Sequence, residues 1–172
     1  CSSDLDGLRI FHLFVGPPAD DVDWTAQTED VIEGCARFID RLYRLHQMHE
    51  VIVSDKTTES DARVRQAVHK TIARVTNDLE KWSYNTAVAA LMELLNTISK
   101  AAREAPGLTL TTLDEGISTL LLLLAPMAPH VTAEMWEQRH PGEPQIHLQR
   151  WPVANPELLV DDEVEIAVQI NG

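Results

Sequence analysis

The strongest constraint on the fold is an apolar stripe that repeats at helical spacing. Successive members lie four, four, three and four residues apart, which places them on one face of an α-helix: Val64, Val68, Ile72, Val75 and Leu79. Glycine is scarce, with seven in 172 residues, so long stretches can be helical without interruption. A helix with one apolar face has to bury it against other helices, so this stripe predicts a helical bundle.

The same periodicity predicts helices elsewhere in the chain. A fair N-cap at Thr28 and prolines at positions 126 and 129 help to set their limits. Residues 8–15 fit a short apolar helix or a strand, whereas 145–151 and the alternating segment 163–169 fit strands. The predicted fold is all-α, an antiparallel bundle of about four to five helices with a short β tail. The expected long helices span about 28–50, 58–82, 85–104, 111–125 and 129–136.

Composition and charge narrow the class of protein. Hydrophobic residues make up 44%, which excludes whole-chain disorder, and the net charge of −13 argues against a general nucleic-acid coat. The net negative charge lies at the two ends, −4 over residues 1–27 and −8 over 111–172, because residues 28–83 hold nine of the fourteen Lys and Arg. No apolar run reaches 18 residues, and the two cysteines form no disulfide framework. These features predict a cytoplasmic protein without a membrane span.

Catalytic and metal signatures are incomplete. His46 and His49 lie three residues apart but lack the further ligands that zinc needs, so a solvated helix end is the simpler interpretation. Glu137 and His140 match half of a di-iron motif whose second copy is absent from the sequence. A metal-dependent bundle enzyme therefore remains a minor alternative. We expect no metal, cofactor or catalytic residue in the chain.

Basic residues on the first predicted helix allow two interpretations. Arg37, Arg41 and Arg44 could form a row that contacts phosphates. They could equally form a solvated face paired with Glu33 and Asp40, because opposite charges four residues apart on a helix are neighbours. The sequence pattern alone favours the solvated face only slightly.

Several motifs occur in order along the chain, and each is weak alone. The motifs are Glu33-Gly34-Cys35-Ala36-Arg37-Phe38, His69-Lys70-Thr71-Ile72, Tyr84-Asn85-Thr86-Ala87, Pro126-Met127-Ala128-Pro129-His130, Trp151-Pro152 and Gln169-Ile170-Asn171-Gly172. Together they resemble the C-terminal part of the leucyl-tRNA synthetases, which are class I enzymes, and the resemblance covers about residues 6–172.

The resemblance implies three regions and one function. Residues 1–24 would be the tail of the catalytic domain, 25–155 the helical anticodon-binding domain, and 156–172 the start of a truncated C-terminal domain. The parent enzyme would attach leucine to tRNA(Leu) with ATP and magnesium, whereas this chain would dock tRNA without catalysis. Its expected partners are tRNA(Leu) and the catalytic domain of the same parent chain. A sister valyl- or isoleucyl-type synthetase and a non-enzymatic helical interaction module are the alternatives.

The resemblance also implies a set of tRNA-binding residues on the first two long helices. Four of them lie on one face of the second helix and rank above His69: Arg63, Lys70, Arg74 and Lys81. For His69, a capping or interhelix hydrogen bond is as plausible as a tRNA contact. Three tryptophans, Trp24, Trp136 and Trp151, are expected to anchor packing rather than to stack on bases. The predicted tRNA-binding set is Arg37, Arg41, Arg44, Arg63, His69, Lys70, Arg74 and Lys81.

Overall fold

The computed structural model describes residues 2–16, 26–47 and 53–160, and these residues form a bundle of six α-helices. Two short 3₁₀ segments, Ile146–Leu148 and Pro156–Leu158, follow the last helix. The all-α prediction is confirmed, with one helix more than expected because residues 8–15 belong to α1. The helices are α1 (Ser2–Phe14), α2 (Ala26–His46), α3 (Glu59–Glu80), α4 (Tyr84–Ala101), α5 (Leu110–Leu124) and α6 (Pro129–Arg139).

Helix α4 lies at the centre of the bundle. It packs against α1, α2, α3 and α5, and its core residues Leu91, Leu95 and Ile98 are fully buried. Helices α3 and α4 form a hairpin joined by residues 81–83, and the predicted stripe of α3 is buried against its neighbours except at Leu79, which is partly buried. Burial of these aliphatic side chains is the main force holding the helices together.

Two helix starts differ from the sequence prediction. Helix α2 begins at Ala26, so Thr28 is a buried residue within its first turn rather than its N-cap. Helix α5 begins one residue before the predicted Thr111, because the hydroxyl of Thr109 accepts a hydrogen bond from the Thr112 amide. The predicted start of α3 is confirmed, with Thr58 as its N-cap.

The strand predicted at 145–151 is wrong. Ile146–Leu148 is a 3₁₀ turn whose Ile146 is buried against α6, and no neighbouring strand lies beside it among the described residues. Residues 149–160, which we call the strap, then run along α3 with Trp151 donating to the Thr76 hydroxyl at 2.8 Å. The second predicted strand, 163–169, lies outside the described residues.

Helix α1 shares the core of the bundle. Ile10 and Phe11 are buried in it, and the buried carboxylate of Asp6 accepts hydrogen bonds from the backbone amides of His130 and Val131 at 2.9 and 2.8 Å. Asp6 thus caps the start of α6 from another helix. The assignment of residues 1–24 to a neighbouring catalytic domain stays a prediction. Among the described helices, none combines the length and apolar character that crossing a membrane requires.

Candidate nucleic-acid interface

A groove between α3 and α4 brings two of the predicted tRNA-binding residues together. Lys70 and Arg74 line a cavity of about 370 Å³, with Thr97 and Glu93 on the opposite wall. The Arg74 guanidinium lies 2.9 Å from the Glu93 carboxylate and 3.9 Å from Asp78 on its own helix. The groove therefore carries cationic groups, and the Arg74 guanidinium is paired with an acid.

The groove continues toward the start of α3. Arg63 and Lys100 line a second cavity of about 410 Å³, which the acids Glu59 and Glu104 also line, and Thr97 borders both cavities. At the other end of α3, Lys81 is exposed. The structure thus places four predicted residues along one side of the hairpin, in the order Arg63, Lys70, Arg74 and Lys81.

Lys100 was missed by the sequence analysis. It lies on α4, where a lysine in the last turn also fits a simple electrostatic role at the helix C-terminus. Only the antiparallel packing of α4 on α3 shows that it borders the same cavity as Arg63. We define the basic groove as Arg63, Lys70, Arg74, Lys81 and Lys100.

The arginines of α2 are divided between two environments. Arg41 donates to the Asn96 side chain on α4, and Asn96 lies one turn from Glu93, the partner of Arg74. Arg41 therefore approaches the exposed side of α4 from the α2 side, while Arg74 approaches it from the α3 side. Arg37 instead pairs with Glu33, at 2.7 Å, on its own helix.

Arg44 behaves like Arg37. It pairs with Asp40 four residues earlier on α2, and both side chains are largely exposed. These i, i+4 pairs match the solvated-face interpretation of the row, and exposed pairs of this kind add little stability. Their contact with tRNA stays a prediction.

His69 faces away from the basic groove. Its Nδ1 accepts the backbone amide of Asn155 in the strap at 3.0 Å, and its Nε2 lies 3.6 Å from the Glu115 carboxylate of α5. The side chain is only 13% exposed. This geometry matches the interhelix hydrogen-bond alternative, and a tRNA contact by His69 is not favoured by it.

The first metal candidate is paired with a protein side chain. The Nε2 atom of His46 lies 3.1 Å from the Gln138 amide oxygen, and burial lowers the pKa of this imidazole, while His49 lies outside the described residues.

Cys35 is free and buried, and burial raises the pKa of its thiol to about 11. A thiol with so high a pKa is a poor nucleophile.

In the second metal candidate, Glu137 with His140, the histidine contacts side chains of the bundle. His140 hydrogen-bonds to Ser118 at 2.9 Å, and its ring centroid lies 4.0 Å from that of Trp136. The neighbouring Glu137 is exposed. Within the described part of the chain, no group of three or more possible metal ligands is present.

Comparison with known families identifies the bundle. The family model for the anticodon-binding domain of tRNA ligases matches residues 61–172, which include nearly all of α3, the whole of α4 to α6 and all five residues of the basic groove. The chain belongs to this family. The helical bundle, with cationic side chains in its exposed groove, agrees with membership of this family.

Two curated relatives that match the chain are both leucine–tRNA ligases. The chain is 40% identical to the leucine–tRNA ligase of Synechococcus sp. (strain CC9311), over 97% of its own length and 19% of the relative's. It is 39% identical to the leucine–tRNA ligase of Herpetosiphon aurantiacus, again over 97% of the chain and 20% of the relative. The chain therefore spans about a fifth of the length of these curated relatives.

A solved structure shares the arrangement of helices. The LeuRS of Agrobacterium radiobacter K84, in a ternary complex with tRNA and LeuAMS, matches with a TM-score of 0.70 and 25% identity. The match covers 90% of this chain and 20% of the other. The bundle is thus similar to one segment of a much longer synthetase.

Proposed function

We propose that the chain is the tRNA-docking domain of a leucine–tRNA ligase, an enzyme that attaches leucine to tRNA(Leu) with ATP. The relatives described above carry that name at 39–40% identity over nearly the whole chain, which supports the leucine branch over the valyl- and isoleucyl-type enzymes. The similar bundle in the Agrobacterium radiobacter structure belongs to a complex with tRNA. The partner would be tRNA(Leu), and the working compartment the cytoplasm.

The observation that carries this proposal is the basic groove. Lys70 and Arg74 lie one helical turn apart along its wall, and Arg63 and Lys100 line the neighbouring cavity together with Glu59 and Glu104. A line of separated cations suits the phosphates of an RNA backbone, and such contacts fix position and orientation without specifying bases. Docking through backbone and shape is the role that this groove supports.

The chemistry of the parent enzyme would reside outside this chain. The ATP, the magnesium and the residues that form leucyl-adenylate would belong to the catalytic domain of the parent, which would be the second partner of the bundle. The isolated chain should therefore form no leucyl-adenylate. An ATP–pyrophosphate exchange assay on the chain alone checks this expectation, and measurable exchange would contradict the docking-only role.

The groove is tested by removing two of its cations in the full-length parent enzyme. Each phosphate contact contributes roughly 0.7–0.9 to the slope of log K against log salt. The double variant Lys70→Ala with Arg74→Ala should therefore bind tRNA(Leu) more weakly and flatten that slope by about 1.4–1.8. The measurement is equilibrium binding of the tRNA at several salt concentrations.

A matched control removes two arginines from elsewhere on the bundle. Arg65 pairs with Glu115 at 3.1 Å and Arg139 with Asp114 at 2.8 Å, and neither lines the groove. The variant Arg65→Ala with Arg139→Ala changes net charge by the same amount and should keep the wild-type slope. An unchanged slope in the Lys70 and Arg74 variant would refute the groove as the docking surface.

A further inference from the structure

Trp82 is an exposed aromatic residue in the turn between α3 and α4. Its exposed fraction is 67%, compared with 5% for Trp136 and 36% for Trp151. The other two tryptophans within the described residues have packing or hydrogen-bonding roles, since Trp136 belongs to the core and Trp151 bonds to α3, while Trp24 lies outside the described residues. Trp82 gains little burial where it stands, so packing does not explain its presence.

The backbone at Trp82 is in a conformation that favours glycine. Its φ is +59°, and it follows Lys81, the C-cap of α3. The Ser83 amide donates to the Asp78 carbonyl at 2.8 Å and the Trp82 amide to the Leu79 carbonyl at 3.2 Å. These two bonds form a Schellman motif, whose left-handed position is usually glycine because a Cβ there is strained. A bulky residue at this position is an outlier that stability alone does not favour.

The turn lies at one end of the basic groove. Lys81 is seven residues after Arg74 and eleven after Lys70, so all three lie on nearly the same side of α3. The rise of 1.5 Å per residue puts Lys81 about 10 Å beyond Arg74 along the helix axis. Trp82 comes directly after it. An RNA backbone that follows the groove would therefore reach this indole at the end of the hairpin.

We propose that Trp82 is a stacking platform for an unpaired base of the tRNA whose backbone occupies the basic groove. This inference rests on the proposed function. Tyr84 packs against the indole edge to face, with ring centroids 6.0 Å apart and planes at 86°. The contact holds the ring in position while most of its surface stays exposed.

The surroundings of Trp82 favour a nucleobase over a protein partner. Its neighbours along the chain are Glu80, Lys81, Ser83 and Tyr84, so they provide charged and polar groups and one aromatic ring rather than a contiguous apolar patch. A cationic track combined with a single exposed aromatic ring is the arrangement by which proteins hold single-stranded nucleic acid without reading its sequence.

The test compares variants of Trp82 in the full-length parent enzyme, with an unmodified transcript of tRNA(Leu) as the probe. Trp82→Gly and Trp82→Asn remove the ring and suit the left-handed backbone, so both should fold with a melting temperature at or above that of the wild type. Both should bind the transcript about tenfold more weakly, because one base-stacking contact is lost. Trp82→Phe keeps a stacking ring and should stay within about threefold of the wild type.

The salt dependence separates stacking from phosphate contacts. The Trp82→Gly slope of log K against log salt should equal that of the wild type, because no phosphate contact is lost. A loss of about one contact's slope would show that the turn acts through Lys81, and would overturn the stacking role. Leu148→Ala, which trims an apolar side chain that is 75% exposed, is the control and should bind normally.

Chemical probing of the tRNA gives a second readout. One unpaired base should be protected from a base-modifying reagent by the wild-type enzyme and become reactive with Trp82→Gly. If Trp82→Gly and Trp82→Asn bind and protect like the wild type, the stacking role is wrong. The docking proposal would then still stand if Lys70→Ala with Arg74→Ala flattens the salt slope, and would fall with it if that slope is unchanged.

Discussion

At the scale of single residues, the basic groove contains an acid, Glu93, that would compete with an RNA phosphate for Arg74. The Arg74 guanidinium lies 2.9 Å from Glu93, and both side chains are substantially exposed, at 45% and 68%. An exposed pair of this kind contributes at most about 1 kcal/mol, so a phosphate can displace the carboxylate at low cost. Glu93 nevertheless lowers the positive potential of the groove and has to be moved or neutralised when RNA binds.

Glu93→Gln should therefore strengthen tRNA binding. The variant frees Arg74 and removes a negative charge from the wall of the groove, and we expect affinity to rise about two- to fivefold at low ionic strength. Equilibrium binding of tRNA(Leu) to the full-length enzyme measures the effect. Glu143→Gln, at an exposed site after α6, is the matched control and should change little. Weaker binding by Glu93→Gln would mean that the carboxylate orients Arg74 productively.

The sequence could supply only some of the residues in this groove. Lys70 and Arg74 follow from helical spacing alone, because one turn separates residues that share a face. Lys100 could not be found in this way, since its place opposite Arg63 depends on how α4 pairs with α3. Trp82 was missed because a left-handed residue is signalled in sequence by glycine, and here the glycine is replaced.

At the scale of elements, helices were predictable where apolar spacing extended over several turns. Their ends were less predictable because the capping hydroxyl can come from any of several neighbouring threonines, as with Thr109 in place of Thr111. The strand predicted at 145–151 is wrong because an alternating pattern needs a neighbouring strand to pair with. Ile146 is buried against a helix instead.

The carboxylate of Asp61 accepts hydrogen bonds at the starts of two helices, α3 and α5. Asp61 is fully buried and accepts the Thr58 amide at 2.7 Å at the start of α3, and the Thr109 amide at 2.9 Å before α5. Burial raises the pKa of this carboxyl, but the hydrogen bonds that it accepts from Thr112, Thr109 and Thr58 outweigh burial and hold the pKa well below its ordinary value of 3.8. The fold therefore stabilises the ionised form of Asp61.

Asp61→Asn should destabilise the bundle by about 2–4 kcal/mol at pH 7, because a buried charged acceptor is replaced by an amide that opposes the donors with its own N–H groups. The folded pKa lies below the unfolded one, so the stabilisation is complete above the unfolded pKa and is lost as pH falls below it. The gap between wild type and variant should thus shrink below about pH 4.

Urea unfolding at pH 7 and at pH 3 measures this gap. Asp114→Asn, which alters an exposed carboxylate paired with Arg139, is the control and should stay within about 0.5 kcal/mol of the wild type. A gap that is equal at both pH values would show that Asp61 stabilises the helix starts without being ionised.

At the scale of the whole molecule, the basic groove belongs to a strongly acidic chain. The net charge is −13, and residues 111–172 carry ten acids against two Lys and Arg. Helix α6, which lies in that region, packs against α1 and α5 rather than on the hairpin of α3 and α4. If tRNA docks in the basic groove as proposed, the acids of α6 would act on it at long range and oppose association without touching the docked complex.

Glu134 and Glu137 are exposed on α6 and allow this long-range effect to be isolated. The double variant Glu134→Gln with Glu137→Gln should raise the association rate of tRNA(Leu) with the full-length enzyme by up to about twofold at 10–20 mM salt. The increase should disappear above 0.15 M salt, where the Debye length falls to about 8 Å. The dissociation rate should not change, because rim charges act mainly on encounter. Stopped-flow measurement of both rates tests this, and a changed dissociation rate would place α6 within the tRNA interface.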